Sequence, residues 1–333
     1  MTPAIARVRA ALNRQPRVPL AVLPTPLVEA ARFREALGGP SRCPRILIKR
    51  DDLTALGLGG NKARKLEYLV ADARAAGATT LITTGAVQSN HARMTAAAAC
   101  MAGMRCTLVL TATEDTPAMA GNLLLDSLYG ASIRLVPSID PMFAVGHDEA
   151  VVAEVVEEER AAGRTPYVIP VGGSSGVGVF GYVSGTAELV EQLASAGETP
   201  TRLYYASGSR GTQAGLTLGA RLCAAGYEVY GVAVSAGEPE KIERAKRIAN
   251  EAADRLGLPF PRAEALKIDY ARGLPAEHVD AVARIVAEDV EVWAAGVELV
   301  MEELAAGEPL PGRIHLCGGG SRLPEIRAAL GAE

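Results

Sequence analysis

The 333-residue chain contains few aromatic residues: phenylalanine, tyrosine and tryptophan together make up only 4% of it. Its core must therefore consist mainly of alanine, valine, leucine and isoleucine, in a chain whose 49% hydrophobic and 22% charged residues are ordinary for a globular protein. The net charge is -4 and there is no basic run, so nothing indicates nucleic-acid binding. This length predicts two domains, or one large α/β domain with a smaller insertion.

The sequence also lacks paired cysteines and long apolar segments. Its five cysteines are an odd number at irregular spacing with no CxxC pair, which indicates reduced thiols in the cytoplasm rather than a disulfide framework or a metal site. Three arginines near the N-terminus are followed by no long apolar stretch, so no signal peptide is predicted. No window reaches the length of a membrane-spanning helix.

Apolar runs of strand length alternate with helical patterns, which is typical of a parallel α/β sheet. Strands are predicted at 45–49, 80–84, 106–110, 133–136, 167–170, 203–206, 229–234 and 313–316. Helices are predicted at 65–76, 89–101, 122–129, 149–162, 183–194 and 212–225, with a helix-rich segment after residue 240. No low-complexity linker and no internal repeat separates two halves, so interleaved domains are expected.

A lysine stands directly after a Gly-Gly-Asn turn, and an amphipathic helical pattern follows it, in LGGNKARKLEYL at Leu58. At such a junction the backbone can bend close to a ligand, and the helix N-terminus favours a nearby anion. Partial desolvation there lowers the pKa of a lysine and makes its amine a usable nucleophile. Lys62 is therefore a candidate Schiff-base lysine, and a solvated turn without a chemical role is the alternative.

A second candidate segment, GAVQSNH at Gly85, joins the end of a predicted strand to the start of a helix. The free N–H groups and the positive dipole end of that helix suit a carboxylate or an oxyanion. Ser89 is either a helix cap or a catalytic residue. Asn90 and His91 are candidate ligand contacts, although a histidine in a first helical turn is more often simply hydrogen-bonded there.

A third segment, SGSRGTQAG at Ser207, lies between a predicted strand and a predicted helix. Backbone amides and hydroxyls in this arrangement cradle a phosphate. The segment has neither the GxxxxGK[ST] nor the GxGxxG nucleotide pattern. A phosphate site without a nucleotide signature, together with an activated lysine far away in sequence, fits pyridoxal phosphate.

A fourth segment, HLCGGG at His315, delivers a thiol into a glycine turn. Cys317 could lie against the nitrogen of a pyridine ring. A buried core cysteine beside a tight turn is the alternative.

Taken together, these segments resemble the fold-type II family of pyridoxal-phosphate enzymes, and within it the branch of D-cysteine desulfhydrases and 1-aminocyclopropane-1-carboxylate (ACC) deaminases. The matching strings, in family order, are LPTPL at Leu23, IKRDDLTALGLGGNKARKLEYL at Ile48, GAVQSNHARMTAAAA at Gly85, PYVIPVGGSSGVGVFGYV at Pro166 and ASGSRGTQAGL at Ala206. The resemblance implies two three-layer α/β domains, as in the tryptophan synthase β subunit, with the cofactor in the cleft between them. It also implies a large domain of residues 1–65 and 169–333, a small domain of residues 66–168, and a homodimer.

The resemblance further implies roles for the motif residues. Lys62 would bind the cofactor covalently and move the substrate proton. Ser89 would be the active-site serine of a turn that holds the substrate carboxylate and helps to fix the cofactor. Further residues of that turn are Gln88, Asn90 and His91, and the phosphate cup would comprise Gly208, Ser209, Gly211 and Thr212. Arg210, where relatives often have a small residue, would either add a charge to the phosphate or point to solvent.

The C-terminal third departs from the family pattern. Relatives carry tyrosines in GYGxP and DPVYxGK strings, where this chain has YARGLP at Tyr270 and EDVEVWAAG at Glu288. Trp293 falls near the second missing tyrosine and could replace its aromatic face, but not its proton-donating phenol. Cys317 stands where a threonine would meet the ring nitrogen, and a thiol leaves the pyridine largely unprotonated. That favours elimination of a good leaving group over ACC ring opening.

The sequence therefore predicts a lyase that removes a β-substituent, a thiol or a sulfonate, from a small amino acid to give a 2-oxo acid and ammonia. A diverged enzyme that performs β-replacement or another pyridoxal-phosphate reaction is the first alternative. A cofactor-binding protein without turnover is the second.

Overall fold

The structure of the protein is a computed structural model that describes residues 2–113, 117–137, 149–233 and 238–259. Within these ranges the helices are α1 (Pro3–Asn13), α2 (Ala31–Ala36), α3 (Ala63–Ala75), α4 (Asn90–Ala102), α5 (Gly121–Leu128), α6 (Glu149–Ala161), α7 (Gly176–Ala196), α8 (Gly211–Leu222) and α9 (Glu238–Leu256). The strands are β1 (Leu27–Glu29), β2 (Leu47–Lys49), β3 (Thr80–Ala86), β4 (Arg105–Ala112), β5 (Ser132–Pro137), β6 (Pro166–Ile169), β7 (Arg202–Ser207) and β8 (Glu228–Ala233).

A four-stranded parallel sheet has the strand order β5–β4–β3–β6. Alternate side chains of its central strands pack on opposite faces. Leu81 and Leu108 belong to the main core with α4, whereas Ile82 and Val109 pack against Val155 of α6. The sheet is therefore the middle of three layers, as the alternating pattern predicts. A parallel β7–β8 pair and an antiparallel β1–β2 pair complete the described strands.

Helix α7 packs against α3, α8 and α9, and it begins earlier than predicted. The predicted start was residue 183, but the helix begins at Gly176. The glycines in its first turns lower the local helix propensity, yet the close packing of α7 on α3 requires them. A Cβ on Gly181 would lie 2.3 Å from the Arg64 carbonyl oxygen, so α7 can approach the start of α3 only through glycine. Tertiary packing thus overrides local propensity here.

Three N-terminal elements (α1, β1 and α2) were not predicted, whereas the other described elements follow the predicted order, with shifts at their ends of which the early start of α7 is the largest. The predicted strand at 313–316 lies outside the described residues. The division into a large and a small domain at residues 65/66 and 168/169 stays a prediction. Among the helices in the described ranges, none is both long and apolar enough to cross a membrane.

Candidate active site

The turn before α3 places Lys62 by a backbone arrangement that requires glycine. Gly59 has φ +81°, and a Cβ there would lie 1.9 Å from the Asp52 carbonyl oxygen. Thr54 Oγ1 closes the turn, because it donates to the Gly60 carbonyl oxygen at 2.7 Å and accepts from the Gly60 amide at 2.9 Å. Lys62 follows as the residue that precedes the first turn of α3.

The Lys62 amine is partly shielded from water. Its side chain is half-buried, and burial lowers the pKa of Lys62 to about 8. The Nζ atom donates a hydrogen bond to Asn61 Oδ1 at 2.9 Å. A substantial fraction of this amine is therefore neutral near physiological pH, as a nucleophilic lysine requires.

A second lysine, Lys65, which sequence reasoning missed, lies one turn further along α3 on the same face as Lys62. It is fully buried, and its Nζ donates to the Gly172 carbonyl oxygen at 2.9 Å. Burial, together with the charges of Lys62 and Arg244, lowers the pKa of Lys65 well below its ordinary value. The spacing of two lysines three apart in NKARK was the available signal. A buried amine with cationic neighbours suggests an anion as its missing partner.

The loop 207–210 leads into α8 beside Lys65, and it contributes Gly208 and Ser209 to the predicted phosphate cup, whose other members, Gly211 and Thr212, begin the helix. Gly211 is the first residue of α8, and a Cβ on it would lie 2.7 Å from Lys65 Nζ and 2.6 Å from Ser174 Oγ. Ser174 Oγ accepts from the Gly211 amide at 3.1 Å and donates to Ser209 Oγ at 2.9 Å. The structure thus brings a helix N-terminus, two hydroxyls and a lysine together around Gly211, where a side chain would not fit. This is an environment that suits a phosphate.

Other residues of the predicted cup are placed as follows. Gly208, Ser209 and Thr212 are half-buried at the same loop. Arg210 is buried, with φ +70°, and its guanidinium donates to Ser207 Oγ at 2.6 Å. The alternative that this side chain points to solvent is therefore wrong, because the side chain folds back on its own loop.

The second predicted segment lies at the N-terminus of α4. Ser89 caps the helix, since its Oγ accepts from the Ala92 amide at 3.2 Å. Gln88 Oε1 accepts from the Asn122 amide at 2.8 Å and so ties this turn to α5. Asn90 is exposed, and its Oδ1 accepts from Asn122 Nδ2 at 2.9 Å. The capping role of Ser89 is confirmed, and the roles in substrate binding stay predictions.

His91 lies beneath this turn rather than at its surface. It is buried, with Nε2 2.9 Å from Thr83 Oγ1. Burial, aided by the charges of Lys62 and Lys65, lowers the pKa of His91 well below its ordinary value, so the ring is neutral at pH 7. Its predicted contact with substrate stays a prediction.

Arg93 joins the α4 turn to the lysine turn. Its Nη2 donates to the Gly59 carbonyl oxygen at 3.0 Å and to Asn90 Oδ1 at 3.3 Å. Gly59 and Asn90, which are 31 positions apart in sequence, are thereby linked through one buried guanidinium. The lysine turn and the α4 turn are therefore in contact, and the start of α8 meets α3 at Lys65, three residues after Lys62.

Comparison of the sequence with known proteins shows which family the chain belongs to. The sequence profile of the family described as "Pyridoxal-phosphate dependent enzyme" matches residues 18–311. The chain belongs to this family. Pyridoxal phosphate is accordingly the cofactor, and the fold is type II, which confirms the resemblance stated above.

Two relatives and one solved structure are similar to this chain over most of its length. A Pyrococcus abyssi protein named "Putative 1-aminocyclopropane-1-carboxylate deaminase" is 38% identical over 280 residues, which cover 84% of this chain and 81% of that protein. A Salmonella choleraesuis protein named D-cysteine desulfhydrase is 40% identical over 252 residues, which cover 74% of this chain and 73% of the relative. The crystal structure of an ACC deaminase homologue superposes with a TM-score of 0.69 at 35% identity, covering 81% of this chain and 76% of that one.

Two predicted site residues, Trp293 and Cys317, lie outside the described residues, and their roles stay predictions. The described residues fit the cofactor. The partly neutral Lys62 and Lys65, which meets the phosphate cradle at Gly211, lie on the same face of the helix. The structure adds Lys65 to the residues that were predicted to hold the phosphate.

Proposed function

We propose that the protein is a pyridoxal-phosphate-dependent lyase that eliminates a β-substituent from a small amino acid and releases a 2-oxo acid and ammonia. The names of two relatives, D-cysteine desulfhydrase and putative ACC deaminase, support this proposal. The observation that carries the proposal is the pair of lysines on one face of α3. Lys62 offers a partly neutral amine, while Lys65 meets the loop that precedes α8.

The cofactor would be held at both of its ends. Lys62 would bind it covalently through Nζ. The α8 amides, Ser209, Thr212 and the Lys65 ammonium would hold the phosphate, whose charge would keep Lys65 protonated. When bound, pyridoxal phosphate supplies the electron sink for the pair left at the substrate Cα.

The α4 turn would hold the substrate carboxylate, since Ser89 and Asn90 lie where free amides and the helix dipole favour an anion. Lys62 would take the Cα proton, and the β-substituent would leave with its bonding electrons. The released enamine would shift a proton to become an imine, and hydrolysis of that imine would give the 2-oxo acid and ammonia, which balances the reaction. We further propose that the enzyme acts in the cytoplasm as a homodimer.

The test offers D-cysteine, L-cysteine and ACC separately to the purified protein and measures 2-oxo acid, ammonia and sulfide. We expect pyruvate, ammonia and sulfide in equal amounts from one cysteine enantiomer. Release of 2-oxobutyrate from ACC, with no product from either cysteine, would show that the enzyme opens the ACC ring and does not eliminate a β-substituent. No 2-oxo acid from cysteine, ACC or other β-substituted alanines of either hand would overturn the proposal.

Replacing Lys65 with methionine should have opposite effects on the cofactor and on the fold. Loss of a charge-assisted contact should weaken phosphate-end binding, so the Kd for pyridoxal phosphate should rise roughly tenfold to a hundredfold. Without cofactor, removal of a desolvated amine should raise the free energy of unfolding by about 1–2 kcal/mol. Spectroscopic titration measures the first effect and urea unfolding of the cofactor-free protein the second.

Lys246→Met is the matched control, because Lys246 pairs with the exposed Glu243 at 2.7 Å on α9. It should change neither quantity measurably. Unchanged cofactor affinity in Lys65→Met would remove this lysine from the phosphate site.

A further inference from the structure

Asn122, in the first turn of α5, is hydrogen-bonded to the turn that leads into α4. Its backbone amide donates to Gln88 Oε1 at 2.8 Å, and its Nδ2 donates to the Gln88 carbonyl oxygen at 2.8 Å and to Asn90 Oδ1 at 2.9 Å. Gln88 Nε2 in turn donates to the Ala120 carbonyl oxygen at 3.0 Å. These contacts fasten residues 86–90, called the α4 turn, to the start of α5.

The donors and acceptors of these contacts determine how the amide of Asn90 is oriented. The Gln88 backbone carbonyl can only accept, so the NH₂ group of Asn122 faces the α4 turn. The Arg93 guanidinium can only donate, and its Nη2 lies 3.3 Å from Asn90 Oδ1. Asn90 therefore directs its carbonyl toward Arg93 and Asn122, and the NH₂ group of this exposed side chain faces away from both.

This orientation decides which charge the α4 turn favours. The NH₂ group of Asn90 can only donate, so it attracts the oxygen of an anion. It also lies at a helix N-terminus, whose dipole favours an anion as well. With the amide turned over, a carbonyl oxygen would occupy the same place and would repel that anion. The fixed amide of Asn90 is thus a condition for binding a carboxylate at this turn.

Asn122 holds this arrangement at a cost to stability. Its side chain is fully buried, and among the described residues no donor reaches its Oδ1. A buried carbonyl without a hydrogen bond destabilises the folded state, and leucine, which has a similar shape, would avoid that penalty. Stability alone therefore does not explain an asparagine at this position, whereas the two side-chain hydrogen bonds that it donates to the α4 turn do.

We infer that Asn122 is a positioning residue for the substrate carboxylate. It holds the α4 turn and, together with Arg93, keeps the NH₂ group of Asn90 turned toward the ligand. The inference rests on the proposed function, which assigns the carboxylate to this turn, and it adds a buried residue that acts through Asn90. An anionic oxygen of the cofactor would attract the same NH₂ group, and the test distinguishes the two.

The experiment separates the carboxylate from the rest of an amino acid. Alanine has a carboxylate and no leaving group at Cβ, and ethylamine is alanine without its carboxylate. Each is titrated into the full-length enzyme with pyridoxal phosphate bound, and the change in the visible absorption of the cofactor gives its Kd. In Asn122→Leu we expect the Kd of the better-bound alanine enantiomer to rise roughly tenfold, because one charge-assisted hydrogen bond loses its orientation. The Kd of ethylamine should stay the same.

A second measurement does not depend on the cofactor. Amide hydrogen exchange of the cofactor-free protein, followed by peptide mass spectrometry, should become faster at the α4 turn in Asn122→Leu. Asn250→Leu is the matched control, because the Oδ1 of Asn250 on α9 is also buried without a hydrogen-bond partner among the described residues. This control should change neither the two Kd values nor the exchange of the α4 turn.

Asn90→Asp tests the orientation of the amide even if Asn122→Leu does not fold. The new carboxylate keeps an acceptor for Asn122 and Arg93, and an acidic residue suits the first turn of a helix, so the urea midpoint of the cofactor-free protein should not fall. An anionic oxygen would however replace the outward NH₂ group, so alanine should bind no more tightly than ethylamine. A lower urea midpoint would mean that the NH₂ group faces inward, which would overturn the inference.

Further outcomes would also overturn it. They are a wild type that binds alanine no better than ethylamine, an alanine Kd in Asn122→Leu equal to that in Asn250→Leu, and an equal rise of the Kd values of alanine and ethylamine. The last, or a higher Kd for pyridoxal phosphate itself, would mean that the Asn90 donor serves the cofactor. The expected Kd values together with no 2-oxo acid from any substrate would instead refute the proposed function alone, so the two failures are distinguishable.

Discussion

Replacing Lys62 with alanine is expected to abolish covalent capture of pyridoxal phosphate and to lower turnover by at least about a thousandfold. The variant removes a partly exposed amine whose pKa is lowered to about 8 by burial. Lys65, one turn away, cannot substitute, because it is fully buried and its Nζ is bonded to the Gly172 carbonyl oxygen. Borohydride reduction followed by peptide mass spectrometry identifies the lysine that carries the cofactor.

The pH dependence of capture follows from the lowered pKa. Only the neutral amine attacks a carbonyl, so the rate of capture should rise with pH through about 8 and level off above it. An ordinary lysine would show the same rise near pH 10.4. Lys246→Ala serves as the control, and it should leave both the rate and the labelled peptide unchanged. A pyridoxyl label on Lys65 in the wild type would contradict the assignment.

Much of the parallel sheet and its helices could be predicted, because each element carries its own local signal. The strand at Thr80–Ala86 is rich in β-branched residues and is bounded by Gly77 and a polar turn, and the following helix is capped by Gly103. The first helix was missed although its signal was present. Thr2 caps it, a proline occupies its first position, and its buried residues recur at helical spacing.

The candidate site was predicted in part, for a similar reason. Glycine turns at strand–helix junctions are local features, and they led to Lys62, Ser89 and the loop before α8. Lys65 was missed because only the fold shows that its amine meets Gly211, 146 positions later in the chain. The side of the helix on which a lysine becomes buried depends on α7, and α7 itself began where local propensity argued against a helix.

The contacts of Asp51 show a stricter limit. Asp51 and Tyr182 are 131 positions apart, and each is an ordinary polar residue in the sequence, yet the Tyr182 hydroxyl donates to Asp51 Oδ2 at 2.8 Å. Their connection depends on the packing of α7 on the start of α3, which Gly181 permits. Long-range polar contacts of this kind therefore become visible only with the structure.

Replacing Arg64 with methionine should lower the free energy of unfolding at pH 7 by about 3–5 kcal/mol. Arg64 is 1% exposed and bonds both Asp51 and Glu188, at 2.8 Å each. Its loss removes the cation paired with the half-buried Asp51 and one of the two cations paired with the buried Glu188, which keeps Lys49. The comparison is Arg45→Met, because Arg45 also pairs with two glutamates, Glu29 and Glu198, but is 46% exposed. That change should lower the free energy of unfolding far less, because water screens an exposed ion pair.

The pH dependence of the Arg64 effect tests its electrostatic origin. Burial alone raises the pKa values of Asp51 and Glu188, but their bonds to Arg64 hold both below the ordinary values. Their stabilising contribution is therefore present above the unfolded pKa values near 4 and is lost as pH falls through the folded ones. Urea unfolding of wild type and Arg64→Met should accordingly differ less at pH 3.5 than at pH 7. A difference that is small at pH 7, or equal at both values, would mean that the ion pair contributes only packing, and that α3 holds Lys62 in place without it.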